Sequence, residues 1–114
     1  MLNWLFKSLD RAAYFEEKGD HADELETSVM LHPRPDLVLP LEEVGDGAAK
    51  QHTVAAFREG WAWSARKWSQ VTADTGIGDP RKATAAKGEH FFKDSTEKLE
   101  GFFFELAEAE RMYE

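Results

Sequence analysis

Apolar positions recur at helical spacing in two stretches of the chain. Between 22 and 32, Ala22, Glu26 and Met30 fall at i, i+4 and i+8, and Leu25 and Val29 form the stripe beside them. This spacing predicts a helix of about three turns. Pro33 and Pro35 stop it, because proline cannot donate to the helix ladder and restricts the residue before it. The second stretch opens at Asp79-Pro80, where an aspartate can cap free amides and proline suits the first helical position. It predicts a helix from about 80 to about 112. Phe92, Leu99, Phe103 and Leu106 mark the expected core stripe, widened by Phe91, Ser95 and Phe102. Gly88 and Gly101 interrupt it at about 1 kcal/mol each relative to alanine, so both read as places of close packing.

The remaining pattern is weaker. Residues 2–6, Leu-Asn-Trp-Leu-Phe, read as a short apolar strand. Residues 8–17, with Ala12, Ala13, Tyr14 and Phe15, read as a weak helical or irregular segment that Gly19-Asp20 breaks. Leu37-Val38-Leu39 is a small apolar patch closed by Pro40, and 42–53 is an exposed loop around Gly45-Asp46-Gly47. From Trp61 to Trp68 the pattern has two solutions. Trp61 and Trp63 alternate as in a strand, whereas Trp61, Ala65 and Trp68 match a helical face. These tryptophans are expected in the core or an interface. Phe102-Phe103-Phe104 covers more than one helix face, which suggests a subunit contact.

Composition narrows the function classes. A chain of 114 residues suits one domain with a real core. The net charge of −8, from 14 basic and 22 acidic residues, disfavours nucleic-acid binding, which needs cations to displace phosphate counterions. Arg66-Lys67 and Arg81-Lys82 form the dense basic positions and read as a solvated face. No apolar run approaches the roughly 18 residues of a membrane span. Met1-Leu2-Asn3-Trp4-Leu5-Phe6-Lys7 lacks the plan of a signal peptide, and there is no cysteine for a disulfide or thiolate metal site. A cytoplasmic location, with no membrane and no nucleic-acid partner, is the expectation.

The candidate chemistry gathers at the head of the first helix, in Asp20-His21-Ala22-Asp23-Glu24-Leu25-Glu26-Thr27-Ser28. Glu26 falls within the apolar face. A carboxylate there is costly unless it is hydrogen-bonded, paired or bound to a metal. A satisfied structural carboxylate and a metal or ligand-orienting one are both open readings. His21 suits general acid–base work, and a capping or surface histidine is the alternative. His32, His52 and His90 sit at unrelated spacings and complete no zinc motif, and His52 and His90 read as surface residues. Thr75-Gly76-Ile77-Gly78-Asp79-Pro80 lacks the third glycine of a dinucleotide site and the lysine of a P-loop. It reads as a tight turn into a capped helix rather than an anion cradle.

Two motifs in order carry a family resemblance. His21-Ala22-Asp23-Glu24-Leu25-Glu26-Thr27-Ser28 resembles the histidine–small–glycine–x–x–Glu–Thr–Ser motif of the creatininase (creatinine amidohydrolase) family. Gly76-Ile77-Gly78-Asp79-Pro80, followed by Ala83-Thr84 and Lys87-Gly88, resembles its later glycine–x–glycine–Asp–Pro element and the helix after it. Asn3-Trp4 and Pro35-Asp36-Leu37-Val38 are similar to the segments before and after the histidine motif, so the resemblance covers nearly the whole chain.

The resemblance implies an α/β fold of three α/β/α layers with a mainly parallel sheet. This chain would be its C-terminal part, mostly helical with a few short strands and a long C-terminal helix. It implies hydrolysis of a C–N amide bond, in a small or cyclic amide, at a divalent metal centre of zinc, manganese or iron. His21 matches the catalytic histidine that passes a proton to the leaving nitrogen, and Glu26 the catalytic glutamate at or beside the metal. A metal-bound hydroxide would be the nucleophile. Homo-oligomers are common in the family.

The chain departs from the family in three places. Asp23 replaces the usual glycine, adding bulk and charge beside the histidine. The Glu-x-His pair, the aspartate and the Asn-Gly-His element that supply most metal ligands have no counterpart here. Residues 1–114 are therefore expected to form a single partial domain, the C-terminal half, that partners an N-terminal half and is inactive alone. Creatininases carry a tryptophan shortly before the histidine. Glu17 occupies that place, which argues against creatinine as substrate. The alternative is a non-catalytic helical binding or assembly module derived from the fold.

Overall fold

The computed structural model describes residues 8–113. The strand expected at 2–6 lies outside them. Helices outweigh the two very short strands among the described residues, and the architecture rests on one helix pair.

The first turn is a 3-10 helix, Arg11–Ala13, capped by Asp10. It delivers Tyr14 and Phe15 to the core. Gly19-Asp20 does not simply break the chain: Gly19–His21 form strand β1, which pairs antiparallel with β2, Ile77–Gly78. Helix α1 follows over Glu24–Leu31, with Asp23 as its cap. It begins two residues later than the apolar pattern suggests, because Asp23 binds the free amide of Glu26 and ends the extended chain there. A 3-10 turn at Pro35–Leu37 leads into the long loop.

Trp61–Trp68 follows neither predicted solution. The chain is irregular until a single helical turn, α3, at Trp68–Val71, preceded by the short α2 at Ala55–Glu59. Trp61 and Trp63 are 75% and 86% exposed, so neither is a core residue.

The last helix, α4, spans Ala85–Glu108. Its cap is Thr84, whose hydroxyl accepts from the Lys87 amide, not Asp79. Asp79 is occupied by a fork from Arg81, with contacts of 2.6–3.1 Å, and its carboxyl is lowered to about 2 by that side chain.

Helix α4 packs on α1 through Gly88, Phe91 and Ser95 rather than through Phe92, Leu99 and Phe103. Phe91 meets Phe15 at 5.4 Å and Tyr14 edge-on at 5.3 Å between ring centres. With Leu25 these rings form the buried cluster, flanked by Leu9 and Val29. Beyond Leu99 the helix and its tail lie at the surface. No helix among the described residues is long and apolar enough to cross a membrane.

The two helical glycines differ. A Cβ at Gly88 would come within 1.8 Å of the Ser28 carbonyl, whereas at Gly101 it would meet nothing within 4 Å. The expectation of close packing thus holds at Gly88 and fails at Gly101. Gly101→Ala should stabilise the chain by about 1 kcal/mol by removing a flexible residue from an exposed helix. Gly88→Ala should cost about 1–3 kcal/mol, because backbone has to move. Urea melts of the two variants beside the parent check this. Equal shifts would contradict the helix contact.

Candidate functional site

The site starts where β1 ends. Ala22 has a positive φ of 49°, a backbone state that a non-glycine residue adopts only at some cost. It turns the chain from strand to helix and aims its amide at Glu26 Oε2, 2.6 Å away. His21 Nδ1 lies 3.6 Å from the same oxygen. That is beyond a good hydrogen bond but within ion-pair reach once the imidazole is protonated. On its other flank His21 meets Trp68 edge-to-face, 5.4 Å between ring centres. Trp68 is anchored by its indole N–H on the Thr75 carbonyl at 3.1 Å and carries the Arg66 guanidinium on its ring at 4.9 Å. Arg66 also pairs with Asp20. The histidine motif therefore places His21 between a carboxylate and an aromatic wall.

Glu26 is half-buried, but not in the core. The Ala22–Glu26–Met30 stripe, with Thr27, forms one wall of an open cavity of about 490 Å³. Leu37, Val38 and Leu39 line it, together with Glu43, Val44, Gly45 and Gly47 and with Asp74, Gly76, Gly78 and Pro80. The apolar stripe was legible. What it faces was not: Leu25 turns to the core, and Glu26 turns to the cavity.

The fully buried carboxylates are its neighbours, Asp23 and Glu24. Asp23 does not crowd the histidine with charge. It pairs with Arg11 at 2.9 Å, caps α1, and sits against Gly19 and Gly78, where any Cβ would come within 3 Å of it. Glu24 accepts from Lys87 Nζ at 2.6 Å and from the amides of Glu16 and Glu17 at 3.0 and 2.7 Å. Burial alone would push the Glu24 carboxyl up. Lys87 and the two amides outweigh it and hold the group below its ordinary value. Ser28 closes the motif: its hydroxyl accepts from the Thr84 amide at 3.2 Å and ties α1 to the start of α4. Within Glu26-Thr27-Ser28, the first two residues face the cavity and the third holds the helix pair together.

The glycine segment is not an anion cradle. Gly78 donates its amide to Gly47 at 2.9 Å, and Gly76 donates to Asp74 Oδ1 at 3.3 Å. Both amides are spent within the protein. Gly47 and Gly78 have positive φ and lie so close that a Cβ on Gly47 would strike the Gly78 carbonyl.

Sequence reasoning missed Trp68 as the neighbour of His21 and Asp74 and Glu43 as cavity residues. All three sit in irregular or barely helical segments, where periodicity carries no signal. It placed His52 at the surface, yet that ring is partly covered by Phe57 at 5.0 Å. His90 is exposed beside Asp94 as expected.

Among the described residues no three of His, Asp and Glu converge as a metal-ligand group. The residues present do not by themselves fit a metal ion.

Comparison with known proteins gives two matches. The model of the creatininase family, described as creatinine amidohydrolase, matches residues 2–103. A crystal structure from Bacteroides fragilis NCTC 9343, of a protein provisionally assigned as a creatinine amidohydrolase, is similar at 46% identity with a TM-score of 0.87. The match covers 96% of this chain and 43% of that one. The chain thus spans less than half the length of this structural relative. Its few short strands and long C-terminal helix reproduce the fold of the matched portion. No curated protein matches.

Proposed function

The chain belongs to the creatininase family, and from that premise we propose that it is the C-terminal portion of a metal-dependent amidohydrolase acting on a C–N bond of a small or cyclic amide. The observation that carries this reading is Glu26 lining an open cavity with His21 Nδ1 3.6 Å from its carboxylate. The cavity volume of about 490 Å³ suits a small molecule.

In this reading His21 handles the proton. Its Nδ1 faces the Glu26 carboxylate, so a positive imidazole is stabilised as it forms, and Nε2 passes a proton to the leaving nitrogen. Trp68 restricts the ring's tilt. Glu26 is held by the Ala22 amide through Oε2, while Oε1 accepts no hydrogen bond from any described residue. That oxygen would face the substrate or a divalent metal of zinc, manganese or iron. Most ligands of that metal would come from the N-terminal portion, since no metal-ligand group forms among the described residues. A cytoplasmic homo-oligomer is part of the same proposal.

The test pairs the chain with the N-terminal portion of a creatininase-like enzyme, supplied as a separate polypeptide. Metal content and hydrolysis of a panel of cyclic and linear amides, including formamides, are then measured. The mixture should take up divalent metal and turn over at least one amide, and the chain alone should do neither. A chain that assembles into a folded oligomer while the mixture binds no metal and cleaves no amide would support the non-catalytic module instead.

A further inference from the structure

A second concavity is unlike the first in charge. It holds about 500 Å³ and is lined by Lys50, His52, Arg58, Arg66 and Lys67, with Gln70 among its other polar residues. No aspartate or glutamate lines it, in a protein of net charge −8. The basic side chains come from three separate segments: Lys50 and His52 from the loop before α2, Arg58 from α2, and Arg66 and Lys67 from the approach to α3. Two of them are already positioned. Arg58 Nη1 donates to the carbonyls of His52 and Thr53 at 2.8 and 2.6 Å, and Arg66 pairs with Asp20 while stacking on Trp68. The Lys50 and Lys67 ammonium groups make no ion pair or hydrogen bond with any described residue.

Cations gathered in one concavity repel each other and raise the local concentration of anions. Among the described residues, the one carboxylate paired with these side chains is Asp20, which meets Arg66 from outside the lining. Guanidinium groups fork onto oxyanions, and flexible ammonium groups supply further point charge. The volume fits a small molecule. One compact cluster on an acidic protein does not provide the extended track that a nucleic acid needs.

We propose that this cleft binds a divalent oxyanion carried by a small molecule, as a phosphate group or a pair of carboxylates. The site stands one ring away from His21, through Arg66 and Trp68. It does not depend on the hydrolase reading, because it rests on residues that reading does not use for chemistry.

Inorganic phosphate and succinate, both divalent near neutral pH, are titrated calorimetrically into the full chain, with sodium chloride at matched ionic strength as reference. At least one should bind saturably at one site. Phosphate binding without succinate binding identifies a phosphoryl ligand, and the reverse identifies carboxylates. K50Q/K67Q should weaken binding at least about tenfold, since each lost charged hydrogen bond matters at this level, and K50R/K67R should retain it. Should K50Q/K67Q not fold, amide shifts in the parent decide: changes centred on 49–53 and 66–71 support the cleft. No saturable binding by either anion, unchanged affinity in K50Q/K67Q, or shifts centred elsewhere would overturn the proposal.

Discussion

Replacing Lys87 by methionine is expected to cost about 3–5 kcal/mol of stability near neutral pH, the usual result of stranding one partner of a buried ion pair. Glu24 has no exposed surface, and among the described residues Lys87 Nζ is the only cation on its carboxylate. The Glu16 and Glu17 amides would still donate. They are dipoles, not a full charge, and cannot offset burial alone.

The loss should depend on pH with a defined sign. In the parent the Glu24 carboxyl is held below its ordinary 4.5, so its contribution is present above that value and is lost as pH falls through the folded value. In Lys87→Met burial dominates and raises the carboxyl. The variant is then penalised most at high pH and least where Glu24 is protonated in both states. Urea melts of parent and variant at pH 8 and pH 4.5 give the difference at each, and it should shrink at the lower pH. A difference that is constant with pH would mean that Lys87 acts by packing its alkyl chain.

Glu24 also shows where the sequence stopped being informative. Two carboxylates stand two residues apart on one helix. The apolar stripe singled out Glu26 as the inward one. The helix was correct apart from its first two residues and ended before Pro33 as expected, but the stripe meets a cavity and not the core. Which face meets the core depends on Lys87, 63 residues later, and no local pattern encodes that partner. The same limit explains α4. Its phenylalanines follow helical spacing to the end, but only the first part meets α1, so the buried line runs through Gly88, Phe91 and Ser95. The early start at Asp79-Pro80 had good local chemistry for a cap. The Arg81 fork took the aspartate, and the cap fell to Thr84.

At the candidate site, motif spacing singled out His21 and Glu26, and the structure supplied their neighbours. His21 and Glu26 were identifiable because they recur at a fixed interval with Thr27-Ser28. Trp68 was ambiguous in sequence because its segment is irregular up to one helical turn. Asp23 was the most misleading residue, since it seemed to add charge beside His21. Its charge is instead met by Arg11, and its bulk is accommodated by Gly19 and Gly78. One substitution in the motif is thus absorbed by three residues from other segments.

The second large effect is on turnover. If His21 carries the proton to the leaving nitrogen, its removal should slow the chemical step by about 10²–10⁴-fold, the usual contribution of a positioned acid or base. Binding of substrate and metal content should change little, because His21 belongs to no metal-ligand group among the described residues. Glu26→Gln should weaken both, since it alters the carboxylate that faces Nδ1 and presents its second oxygen to the cavity. The most direct test is single-turnover amide hydrolysis by the chain joined with an N-terminal portion, comparing parent and His21→Ala at equal metal content, with and without added imidazole. The expected result is a loss of at least about a hundredfold, partly restored by imidazole. A His21→Ala enzyme that turns over within twofold of the parent would contradict it.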